Sequence, residues 1–209
     1  MSDSRSNAGW LAATSGVAAL AFAALTVAVA RGQLTQWDRR TKRRIQSSIS
    51  DAESSRDAAL ATAPLGKWWS QIGASLTGAT RLLFAGRRAA AGTIVGASVG
   101  AALLTPLLER VVPLRRPPRE HPEHADPSKQ SYPSGHALRT SATAVATSYV
   151  LWREGSAPWA GGPLAVISFA TTGSKLLLSR HWTTDVIGGY LAGIAWATAC
   201  ASVYEVARD

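Results

Sequence analysis

AGWLAATSGVAALAFAALTVAVA, residues 8–30, holds no charged side chain over 23 positions. A helix needs about 20 apolar residues to cross the hydrocarbon core of a bilayer, so this stretch reads as a membrane span. A second uncharged run covers Ala89 to Leu108, over 20 residues. Ala157 to Ser174 and Val186 to Tyr204 add uncharged runs of 18 and 19 residues. A soluble domain of 209 residues does not carry four such segments, so the chain reads as a multi-span membrane protein.

Two weaker segments complete the pattern. Trp68 to Thr80 is uncharged, and Leu82-Leu83-Phe84 resumes after Arg81, giving a span at about 67–86. Gly135 to Trp152 carries only Arg139 and gives another at about 135–152. The expectation is an all-α integral membrane protein, a six-helix transmembrane bundle. Its spans fall at about 8–30, 67–86, 89–108, 135–152, 157–174 and 185–204, in a single domain over 1–209. The first span lacks the basic leader of a secretion signal, since Arg5 is balanced by Asp3, and is expected to be retained. Gly92, Gly96 and Gly100 recur every four residues, a small-residue stripe that lets a neighbouring helix approach. The single cysteine, Cys200, excludes an intramolecular disulfide and reads as packing.

Residues 31–66 are polar, with the run Arg39-Arg40-Thr41-Lys42-Arg43-Arg44. One or two amphipathic interfacial helices are expected here, with Trp37, Trp68 and Trp69 at the head-group level. The net charge of +9 raises nucleic acid as a partner. No aromatic interleaving or recognisable binding fold accompanies the basic run, so the partner expected for it is the bilayer surface.

Six spans put three segments on one membrane face: 31–66, 109–134 and 175–184. All four histidines (His121, His124, His136 and His181) lie there, which makes a shared active site plausible. Counted over 31–67, 109–134 and 175–184, that face carries 15 Lys and Arg against five on the other. By the positive-inside rule the active face is expected in the cytoplasm, at the cell's inner (plasma) membrane.

The chemistry starts from His181-Trp182-Thr183-Thr184-Asp185. On a helix, Asp185 sits one turn from His181 and can accept from one imidazole nitrogen, leaving the other nucleophilic. Pro133-Ser134-Gly135-His136 sets a second histidine beside a Ser-Gly turn that opens a helix, an anion site next to a proton donor. Two histidines in such different settings suggest one nucleophile and one general acid working on a phosphate.

Three elements stand in order: Glu109 with Arg115-Arg116-Pro117 downstream; Pro133-Ser134-Gly135-His136; and Ser174-Lys175, five residues, His181, three residues, Asp185. This order resembles the signature of the type-2 phosphatidic acid phosphatase and vanadium haloperoxidase superfamily, in its membrane lipid-phosphatase branch. The resemblance implies that His181 is the nucleophile, forming a phosphohistidine, with Asp185 holding its tautomer and His136 as the general acid. It implies that Arg116, Ser134, Gly135 and Lys175 bind phosphate; Arg180, immediately before His181, is a further candidate phosphate-binding residue that compensates for Lys175. No metal or other cofactor is implied. His121 and His124 are expected in a substrate-facing loop rather than at a metal.

Two positions depart from the signature. Glu109 stands where the family has its first-motif lysine, and a carboxylate does not grip phosphate; Arg110 and Arg115 are the candidate substitutes. Lys175 stands at the third-motif arginine, keeping the charge but losing the planar fork. Arg139, one turn beyond His136, faces either the phosphate or a buried acid.

The function expected is a metal-independent lipid-phosphate phosphatase. Its candidate substrates are polyprenyl phosphates or diphosphates, phosphatidate-type lipids, phosphatidylglycerophosphate or a polyprenyl-linked sugar phosphate of cell-wall assembly. The alternatives are a catalytically degenerate binding or assembly partner, suggested by Glu109, and a vanadate-dependent haloperoxidase. The uncharged spans weigh against the latter.

Overall fold

The structure is a computed structural model that describes residues 2–47, 57, 61, 68–110, 130–155 and 162–208. Its main helices are α1 (Ser2–Ala30), α2 (Thr35–Ser47), α3 (Trp68–Phe84), α4 (Arg88–Leu108), α5 (Gly135–Arg153), α6 (Gly162–Leu177) and α7 (Thr183–Ala207). Among the described residues there are no β-strands, consistent with the all-α expectation.

Three of these helices are long and apolar enough to cross a membrane: Ser4–Ala30 of α1, Arg88–Leu108 (α4) and Thr183–Ala207 (α7). The other expected spans correspond to α3, α5 and α6, of 17, 19 and 16 residues. At 1.5 Å per residue these run roughly 24–28 Å, just short of a hydrocarbon core of about 30 Å. They also carry Arg81, Arg139 and Lys175. The fifth expected span begins at 157, but α6 starts at Gly162, and 156–161 lie outside the described residues.

α5 is the centre of the bundle, packed against α4, α6 and α7, while α1 lies along α7. Ala101, Leu138, Ala142 and Ala192 form one buried cluster, with Trp196 packed on it. Ala90, Ile94, Val150 and Tyr204 form another nearer the opposite end. The outer surface is apolar too: Trp10, Leu20, Phe84, Phe169 and Val203 are all exposed, as suits a surface covered by lipid.

The glycines that set helix spacing differ from the expected stripe. A Cβ on Gly92 or Gly96 would meet nothing within 4 Å, and only Gly100 is crowded, by the Trp196 ring. The close approach occurs on α7. There a Cβ on Gly189 would stand 2.5 Å from the Ser134 carbonyl, and one on Gly193 would stand 2.0 Å from Ser141 Oγ. α7 therefore lies nearly backbone to backbone against α5, and this contact sets the spacing of the two histidine segments.

α5 and α7 are also bound at both ends. At one end the Ser134 N–H donates to the Asp185 carbonyl at 2.8 Å. At the other, Arg153 donates through Nε and Nη2 to the two oxygens of fully buried Glu205, at 2.7 and 2.9 Å, and Tyr149 donates to the same carboxylate.

α2 follows a turn at Gly32, whose φ of +70° suits glycine, and is the expected amphipathic element. Leu34, Asp38, Thr41, Lys42, Ile45 and Gln46 face inward, and Arg39, Arg40, Arg43 and Arg44 are exposed.

Candidate active site

The site is built where four segments end together. α4 ends at Glu109; the N-terminus of α5 brings Gly135, His136 and Arg139; the last turn of α6 brings Lys175; and the α6–α7 connection brings Arg180 and His181. These seven residues line one cavity of about 170 Å³. Ser134 caps α5, its hydroxyl accepting from the Ala137 N–H at 3.5 Å, so the positive end of the helix dipole opens at the cavity.

His181 is buried and its orientation is fixed. Its Nδ1 lies 3.0 Å from the Ser131 carbonyl and 3.3 Å from Asp185 Oδ2. Both partners are acceptors, so Nδ1 carries a proton, and Nε2 is the nitrogen with the lone pair in the neutral ring. Asp185 is fully buried, and its Oδ2 also accepts from the Trp182 N–H at 2.7 Å. One carboxylate thus caps α7 and orients the histidine. The turn that makes this possible passes through Ser179, a left-handed residue at φ +49°, and is closed by the Arg180 N–H donating to the Lys175 carbonyl.

His136, Lys175, Arg180 and Gly135 line the same cavity as His181, whereas Ser134 is fully buried behind them as the cap of α5 and is not among the described cavity-lining residues. Lys175 is almost wholly buried, with 3% exposure, so its ammonium serves the interior and not the membrane surface. Arg110 is exposed just beyond α4 and is not among the described cavity-lining residues; Glu109 is. Arg115, Arg116, His121 and His124 lie outside the described residues. Among the described residues, no three His, Cys, Asp or Glu side chains converge as a metal would require.

Two contributors were not found from sequence. The Ser131 carbonyl is invisible to motif reading because any residue supplies one. Asp38 is the other. It sits in the arginine run, yet its buried carboxylate accepts from the Thr184 N–H at 3.0 Å and from the Thr184 hydroxyl at 2.6 Å. It thereby caps α7 one residue before Asp185. Burial pushes the Asp38 carboxyl above its ordinary value, opposed by these hydrogen bonds from Thr184. The signal available was periodicity: Asp38 falls on the same face as Leu34, Thr41 and Ile45.

With this geometry established, the comparisons with known proteins are direct. The family model described as the PAP2 superfamily matches residues 90–209, more than half of the chain. The chain belongs to the PAP2 superfamily. The crystal structure of a transmembrane PAP2-type phosphatidylglycerolphosphate phosphatase from Bacillus subtilis superposes with a TM-score of 0.71. The match covers 91% of this chain and 95% of that one, at 17% sequence identity, and it shows a shared fold. A sequence search of curated proteins finds no match. The PAP2 match spans every described cavity-lining residue, from Glu109 to His181.

Proposed function

We propose that this PAP2 protein is a membrane lipid-phosphate phosphatase that works through a phosphohistidine on His181. The observation that carries this reading is the pinned imidazole. Nδ1 is engaged by Ser131 and Asp185, which leaves Nε2 as the nucleophilic nitrogen of a residue lining a cationic cavity.

In the first step the Nε2 lone pair forms a bond to phosphorus and the ester P–O bond breaks. The departing alkoxide takes a proton from His136 acting as general acid. In the second step His136 accepts a proton from water, the hydroxide attacks phosphorus, and the P–N bond breaks to release phosphate. Asp185 balances the charge His181 gains while phosphorylated. Ser134 and the Gly135 backbone bind the phosphoryl oxygens, and Lys175, Arg180 and, by the family resemblance, Arg116 neutralise them. No step calls for a metal.

The substrate class is a phosphate ester or diphosphate of a membrane lipid, polyprenyl or phosphatidate-type. Apolar spans and an apolar outer surface favour a substrate that stays in the bilayer with only its head group in the cavity. The fold is read as six spans with α2 at the interface. The excess of Lys and Arg on the histidine side favours an active face in the cytoplasm.

The test is phosphate release by detergent-purified protein from a panel of lipid mono- and diphosphates, with and without chelator, beside His181→Ala and His136→Ala. The wild type should release phosphate in chelator and His181→Ala should release none. His136→Ala should be slower by roughly 10²–10⁴-fold. Near-wild-type turnover by both variants would overturn the assignment.

A further inference from the structure

Glu109 occupies the place where the first motif of this family carries a lysine, yet it lines the cavity. The residue that resolves this stands one turn into α5. Arg139 follows His136 by three residues, so both side chains lie on the same side of that helix. A Cβ on Gly135 would stand 2.9 Å from Arg139 Nη1 and 3.3 Å from Glu109 Oε1, so the guanidinium and the carboxylate converge on one point at the mouth of α5. Glu109 is the opposite charge that acts on Arg139. Arg139 Nη1 also donates to Thr105 Oγ1, at a long 3.5 Å. Its Nε is buried and has no hydrogen-bond partner among the described residues. A partly buried guanidinium with an unused Nε donor, in the wall of a cavity shared with His136 and His181, is suited to an incoming oxyanion.

We propose that Arg139, oriented by Glu109, is a phosphate-binding residue of this site and supplies the positive charge that the family otherwise draws from the first-motif lysine. The positive charge has moved from the end of α4 to the first turn of α5, and the vacated position holds its counter-charge. Glu109 is then a positioning residue, and its departure from the family motif is not a sign of a dead enzyme. A lysine at 109 would face Arg139 and Lys175 with like charge and displace the guanidinium. This inference rests on the cavity being an oxyanion site, and its test separates it from the hydrolase reading.

The experiment measures two quantities on detergent-purified protein: KM and kcat for a lipid monophosphate, and affinity for inorganic phosphate by titration. The variants are Arg139→Gln, Arg139→Lys, Glu109→Gln and Glu109→Lys, each checked for monodisperse elution and an unchanged melting temperature without phosphate. Arg139→Gln should weaken phosphate binding and raise KM by roughly 10- to 100-fold, the effect of losing a charge-assisted hydrogen bond. Glu109→Gln should shift both the same way by less, and Arg139→Lys should recover part of the loss. Glu109→Lys should bind phosphate less well than the wild type.

Should Arg139→Gln be poorly folded, Glu109→Gln and Arg139→Lys carry the same comparison. Phosphate binding that depends on Arg139 in a protein that hydrolyses no lipid would support this inference and sink the hydrolase reading. Turnover with KM and phosphate affinity indifferent to Arg139 and Glu109, or improved by Glu109→Lys, would overturn the inference and leave the hydrolase standing.

Discussion

At the scale of single residues, His181 has two acceptors on one nitrogen, and the backbone one is the nearer: Ser131 O at 3.0 Å against Asp185 Oδ2 at 3.3 Å. The tautomer is therefore set twice over. Asp185→Asn should keep Nδ1 protonated through Ser131 while losing the negative charge that balances a phosphorylated imidazole. We expect kcat to fall by roughly 10- to 100-fold, the worth of a hydrogen bond to a charged group, and to fall far less than in His181→Ala. Steady-state kinetics on the two variants decide it; equal losses would mean that the Ser131 carbonyl does not hold the ring. The residues of this site were legible from sequence where chemistry and spacing coincide. An aspartate four residues after a histidine, and a histidine behind Ser-Gly, mark candidate positions locally, and the fold brings both histidines to one cavity. Sequence does not decide between a phosphate and an acid for Arg139, because its neighbour, Glu109, lies 30 positions away, beyond the reach of any helical spacing.

At the scale of elements, α2 is more than a cationic face at the interface. Its Asp38 supplies the cap that α7 lacks at Thr184, and its Gln46 side chain donates to Ser179 at 3.4 Å, within the turn that delivers His181. Asp38→Ala should remove a cap of about 1–2 kcal/mol, lowering the melting temperature in detergent. It should also lower kcat by loosening the first turn of α7, while inorganic phosphate binding at the α5 end changes little. An unchanged melting temperature would mean that Thr184 finds another partner. The sequence showed α2 as a basic amphipathic segment, but its charge count hid the one acid that faces inward. The helix boundaries were largely legible because Ala- and Leu-rich stretches bounded by charges leave few choices. The tight interface was not: the regular Gly92, Gly96, Gly100 spacing lies on α4, whereas the backbone contact comes from Gly189 and Gly193 on α7. Spacing alone marks a face that permits approach, and only the partner decides which face is used.

At the scale of the whole molecule, the fold gathers the described cavity-lining residues at one end of the bundle and a second charged cluster at the other. There Glu205 binds Arg153 and Tyr149, while Glu154 pairs with Arg87 and accepts from the Tyr204 hydroxyl at 2.6 Å. The proposed cytoplasmic orientation of the histidine end is tested by labelling. With Cys200 replaced by alanine, a single cysteine at exposed Ser47 of α2 should react with a membrane-impermeant maleimide in inverted vesicles and stay protected in intact cells. The opposite labelling would place the histidines outside the cytoplasm and show that the arginines of α2 serve the site or the outer leaflet.

The lacing of α5 to α7 at both ends has a mechanical consequence. Two rods fastened at head and foot, with almost no side chain between them, behave as one stiff beam and have no hinge of their own. Under the proposed function, the head group of a lipid enters and leaves a cavity that α5 lines with Gly135, His136 and Arg139. The give has to come from the flanks. α6 meets the beam through hydroxyl contacts, Ser168 with Thr140 and Tyr190, and Tyr190 with Thr172, which exchange partners at little cost. Catalytic alignment and substrate traffic are thereby assigned to different parts of the molecule: the beam keeps the two histidines in register while its neighbours breathe.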